Sequence, residues 1–157
     1  MNDLKARYIE AEKGQYVKLQ AHVDSGSRIA LTIDAWTGNN KLDYITVTGH
    51  YETVDRERVT TLLNILEINE PVHSGTYLAS KLLEVTDRLQ IIYTIISVIR
   101  DNVKPNDTML DEYEAVVAEQ YDVMEDKEQA FFYCKFNRTE GDVRCCIYIY
   151  NITVQAG

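Results

Sequence analysis

Between Ile91 and Ile99 the chain reads Ile-Ile-Tyr-Thr-Ile-Ile-Ser-Val-Ile, a mostly β-branched stretch without a charge. Such a run is expected where both faces of a strand are covered, which happens chiefly in sheets with parallel neighbours. A parallel neighbour demands a crossover connection of a dozen or more residues, usually a helix. The residues just upstream supply one. Leu78, Leu82, Val85 and Leu89 recur at spacings of four, three and four behind Ser74, which is well placed as an N-cap.

The rest of the chain can be arranged around that unit. Residues 3 to 22 are mostly strong helix formers, with Leu4, Tyr8, Ala11 and Leu19 near one face and Gly14 weakening the middle. Ile29, Leu31 and Ile33 then alternate with Ala30, Thr32 and Asp34 as a strand does, up to a turn at Trp36 to Asn40. Tyr44 to Thr48 and Val59 to Ile68 are rich in β-branched residues, so three sequential strands with short links predict an antiparallel meander. After Ile99 the segment Arg100 to Pro105 forms a turn. Asn106 or Asp107 is then expected to cap a helix carrying Met109, Leu110, Tyr113, Val116 and Val117. Phe131 to Phe136 and Val143 to Ile147 read as short strands around a turn at Thr139 to Asp142. The expected order is β-β-β-α-β-α-β. A right-handed crossover through the Ser74 helix lays the Ile91 strand parallel to the Ile29 strand. With 157 residues this is one α/β domain, a leading helix over 1–24 followed by sheet and crossover helices over 25–157.

A formal charge of −9 repels phosphate polyanions, so a free-standing, electrostatically driven nucleic-acid binder is not expected. The start shows no signal-type apolar run, and Tyr93, Thr94 and Ser97 interrupt the longest apolar stretch. Cytosol or nucleus is expected, with no membrane contact. Cys134, Cys145 and Cys146 are odd in number, and two are adjacent; they suit neither a disulfide framework nor zinc, and read as reduced, partly buried thiols.

Asp34 ends one expected strand and Asp101 the next, 67 positions later. Neighbouring strands lie about 4.8 Å apart, so the two carboxylates are expected to meet. Mg²⁺ is typically held by one or two carboxylates plus water and substrate phosphates, which makes the pair a half-built metal site. Capping of the following turn, or simple solvation, is the competing explanation for each Asp.

Five segments in order resemble the hAT-type (hobo/Activator) DNA transposases. Ser27-Arg28-Ile29-Ala30-Leu31-Thr32-Ile33-Asp34-Ala35-Trp36-Thr37 resembles the family's first catalytic strand, and Val47-Thr48-Gly49-His50-Tyr51 its second. Pro71-Val72-His73-Ser74-Gly75-Thr76 is similar to its "G-P-H-T-G" helix start. Asp101-Asn102 with Asn106-Asp107-Thr108-Met109-Leu110 is similar to "T-D-N-A-x-N-N-D-T-M". Arg144-Cys145, Asn151 and Val154-Gln155 resemble "R-C-x-x-H-x-L-N-x-x-x-Q". The resemblance implies an RNase H-like mixed sheet flanked by helices, with Asp34 and Asp101 binding catalytic Mg²⁺ or Mn²⁺ for strand cleavage and transfer at DNA. It places Trp36, Thr37, Asn102, Cys145 and Tyr148 as site-lining positions, names no other cofactor, and implies a nuclear protein of a transposable element.

The likeness also has departures. The family's third carboxylate, a Glu, lies beyond the position of Gln155, and the 157 residues end before it. Tyr148 stands where the family has His, and a phenol does not replace an imidazole near pH 7. A fragment or decayed copy, inert alone and with weak or no DNA binding, is therefore expected. The alternative is a non-catalytic RNase H-like module that associates with a protein partner or a second copy. Trp36 at a strand end is expected to pack rather than stack on substrate, and His50 and His73 to be structural.

Overall fold

The computed structural model describes residues 2–68, 74–101, 103–123 and 134–144. Its elements are α1 (Asn2–Asp24), β1 (Ile29–Thr37), β2 (Asp43–Glu52), β3 (Arg58–Ile68), α2 (Gly75–Arg88), β4 (Ile95–Arg100), α3 (Lys104–Asp122), a helical turn α4 (Arg138–Gly141) and β5 (Asp142–Arg144). The strands form one mixed sheet in the order β3-β2-β1-β4-β5. The meander is antiparallel, while β4 joins β1, and β5 joins β4, in parallel. This is the α/β, RNase H-like arrangement expected from the sequence.

Alternation along β1 sends Ile29, Leu31 and Ile33 into the core and leaves Thr32 and Asp34 on the other face. The core face joins Ile45, Val47, Ile95 and Val98 to the buried stripes of α2 (Leu78, Leu82, Val85) and α3 (Met109, Leu110, Tyr113, Val117). Ser74 caps α2, its Oγ accepting from the Tyr77 N–H at 3.2 Å. Gly75 lets the first turn of α2 approach that of α3. A Cβ there would run into the Thr108 side chain and lie 2.6 Å from the Pro105 carbonyl oxygen. On α1, Leu19 and His22 dock, with Gln20 Nε2 donating to the Leu89 carbonyl at 2.6 Å, whereas Ala11 is exposed.

Several boundaries differ from expectation. β1 continues through Trp36 and Thr37, because β2 pairs with it as far as Thr37↔Asp43, and the turn begins at Gly38. Ile92–Thr94 is a 3₁₀ turn rather than strand: both the N–H and the hydroxyl of Thr94 donate to the Ile91 carbonyl, at 2.9 and 2.7 Å, and curl the chain before β4 begins. α3 starts at Lys104, ahead of the expected caps, with Val103 at the N-cap and Pro105 in the first turn, where its missing N–H has no intrahelical partner to lose. Cys134 to Asn137 is not strand, and the expected turn at Thr139 to Asp142 is largely the helical turn α4, capped by Asn137. Phe136 is buried edge-on against Tyr113, 5.5 Å between centroids, which draws this segment into the core instead of along a sheet edge. Expectations for His73, Phe131, Phe132 and residues 145–157 lie outside the described residues. Among the described residues no helix is long and apolar enough to cross a membrane.

Candidate functional site

Parallel pairing of β1 with β4 brings Thr32 level with Ile99. The β1–β4 ladder ends at that pair, and Asp34 and Asp101 each lie two residues beyond it, on the side turned away from the core. Asp34 lies past the pairing with β4, which stops at Thr32. On its other side it remains paired with Thr46 of β2, whose Oγ1 donates to the Asp34 carbonyl at 3.2 Å. Asp101 is the first residue past β4.

The two carboxylates have different surroundings. Asp34 is exposed, while Asp101 is half-buried. Burial pushes the Asp101 carboxyl above its ordinary value, and the charge of Asp34 pushes it further. Arg100 and a hydrogen bond from Asn106 work in the opposite direction.

Beneath the pair lies an ion network. Arg100 points to the opposite side of β4, its side chain wholly buried, and grips Asp142 at two points, Nε to Oδ1 at 2.8 Å and Nη2 to Oδ2 at 2.6 Å. Nη2 also reaches Asp107 Oδ1 at 2.6 Å, and Nη1 donates to the Asp101 carbonyl at 3.2 Å. Arg138 adds Asp111 and Asp107 to the same cluster. Arg100 holds the Asp107 carboxyl below the usual carboxylate range. The network ties β4, β5, α3 and α4 together directly behind Asp101.

Trp36 lies two residues beyond Asp34 on the same face, 43% exposed and stacked on Tyr44 with 4.9 Å between rings. Thr37 alternates to the other side of β1, and its hydroxyl donates to Asp43 at 2.6 Å. Asn102, Cys145 and Tyr148 lie outside the described residues. His50 shares the Asp34 face, but Thr32 and Thr60 hydroxyls engage both ring nitrogens, at 2.8 and 3.1 Å. Cys134 is half-buried against the Ile95 carbonyl, and burial pushes its thiol up. Buried Arg100 was not legible as a site neighbour. Asn106 shares a motif segment with Asp101, but its contact with the Asp101 carboxylate was not legible from that.

Two carboxylates at one register position suit one hard divalent cation. Among the described residues no group of three or more His, Cys, Asp or Glu is placed to hold a metal ion.

The family model of the ZBED1 RNase-like domain matches residues 32–129, more than half of the chain and inclusive of both acids. A protein of Talaromyces stipitatus named "Putative transcriptional regulator tpeD" is 28% identical over 109 residues, which cover 69% of this chain and 12% of the relative. The chain thus matches only a small part of that relative's length.

Proposed function

Because the chain belongs to the ZBED1 RNase-like domain family, an RNase H-like and hAT-related group, we propose that it is a decayed, non-cleaving copy of a transposase-type catalytic domain that keeps the metal-facing acids. What supports this is the parallel β1–β4 ladder, which ends two residues short of Asp34 on one strand and of Asp101 on the other, on the face turned away from the core. Those two side chains would hold Mg²⁺ or Mn²⁺, and a bound ion of that kind supplies charge neutralisation at a phosphate oxygen. The protein's own part is to present both carboxylates from rigid strands. β2 secures Asp34 through Thr46, and the Arg100 network secures the backbone of Asp101. A nuclear location goes with this function. A charge of −9 argues that contact with DNA depends on other polypeptide.

Thermal unfolding in millimolar Mg²⁺ or Mn²⁺ tests the metal role. Wild type should melt a few degrees higher with metal, about 1–3 °C for an ion near its dissociation constant, and Asp34→Ala should not. An equal rise in both would overturn it. Incubation with plasmid DNA and Mn²⁺ should leave the DNA intact.

A second function, association without catalysis, has its own support. A groove of about 840 Å³ opens between α1 and the outer strand β3, with Tyr16, Val17, Leu62 and Ile65 exposed along it. The relative's name, a regulator, points the same way. Wild type with no metal response at all would favour this function.

A further inference from the structure

Asp101 is held from two directions by groups of different charge. Asn106, in the first turn of α3 and only 5% exposed, turns its amide back toward β4. Its Nδ2 donates to Asp101 Oδ1 and lies 3.4 Å from the Asp101 carbonyl oxygen. The nearest guanidinium, that of Arg100, reaches Asp101 only at the backbone carbonyl, because Asp142 and Asp107 take its Nε and Nη2. A neutral amide can fix a carboxylate without cancelling its charge, whereas a cation there would compete with a metal ion. Helix capping does not explain the contact. Asn106 lies inside α3, Val103 holds the N-cap position, and no side chain caps that end.

We infer that Asn106 is a positioning residue for Asp101, aiming its carboxylate toward Asp34 from behind while Arg100 is kept off it by Asp142 and Asp107. The inference rests on the proposed metal role of the acid pair. Groups that orient a ligating carboxylate typically change metal affinity 10–100-fold when removed.

The test is a Mn²⁺ titration of the full chain followed by the loss of the free-ion EPR signal, with Asn106→Leu as the near-isosteric variant. Asn106→Leu should raise the Mn²⁺ dissociation constant about tenfold. Leu82→Ala, a cavity variant in the α2 core, should lower Tm and leave the dissociation constant unchanged, which separates positioning from general loss of stability. Should Asn106→Leu fail to fold, Asn106→Ser, with a shorter donor, should show a smaller increase of about threefold. Wild-type affinity in the folded Asn106 variant overturns the inference while leaving the metal role standing. Failure of wild type itself to take up Mn²⁺ overturns both.

Discussion

Arg100 reaches diagonally across the β4–β5 pair to Asp142, which stands level with Val98, in a two-point ion pair, 2.8 and 2.6 Å, made by a guanidinium with no exposed surface. Removing Arg100 leaves Asp142, only 11% exposed, with the longer 3.7 Å contact to Arg138 Nε as its ion pair among the described residues. Arg100→Ala should therefore destabilise the chain by about 3–5 kcal/mol in urea unfolding. Arg100→Ala with Asp142→Ala should lose less than the sum of the two single variants. Additive losses would mean that the pair is not coupled in solution.

Asp101 should behave as a site residue that strains the fold. Its folded-state carboxyl titrates above the unfolded value, so between those two values the native state holds more protons than the unfolded state. Stability therefore rises as pH falls through the folded-state value. At neutral pH Asp101→Asn should melt about 1–3 °C above wild type, and the advantage should fade below about pH 4, where the wild-type acid is protonated in both states. A lower melting temperature for Asp101→Asn at neutral pH would count against the electrostatic description.

Gly75 tests the close approach of α2 to α3. A methyl group there meets Thr108 and comes within 2.6 Å of the Pro105 carbonyl, so Gly75→Ala should cost about 1–3 kcal/mol through forced separation of the two helix starts. Helix propensity alone would make the same change stabilising by up to about 1 kcal/mol. The sign of the measured change decides between them.

Ser74→Ala removes the side-chain acceptor of the Tyr77 N–H and should lower stability by about 1 kcal/mol in the same assay. Ser74→Asp should restore it, since a carboxylate at that end also suits the helix dipole.

The parts legible in the sequence were those where a local period and a tertiary role agree. Leu78, Leu82, Val85 and Leu89 mark α2 because the same face that gives the period is buried. The alternation of Ile29, Leu31 and Ile33 marks β1, and with it the level of Asp34. Where a local bond competed with the period, the reading slipped. Ile91 to Ile99 looks uniform, yet the Thr94 hydroxyl curls its first half into a 3₁₀ turn. Asn106 reads as a cap, but a contact with Asp101 draws its side chain away from that role. Arg100 reads as the start of a turn, yet it is the last residue of β4, and its partners Asp107 and Asp142 are brought to it only by the fold. The strand order on which the expectation for Asp34 and Asp101 rests was readable, and the contacts around Asp101 were not.

The central claim is that Asp34 and Asp101 present their carboxylates to one cation. Two-dimensional ¹H–¹⁵N NMR of the labelled chain, titrated with substoichiometric Mn²⁺, tests it most directly. Amide signals around Asp34 and around Asp101 should broaden together, at the same metal concentration, and both should stay sharp in Asp34→Asn. Broadening near one acid alone, or spread evenly over the exposed carboxylates of the surface, would contradict it.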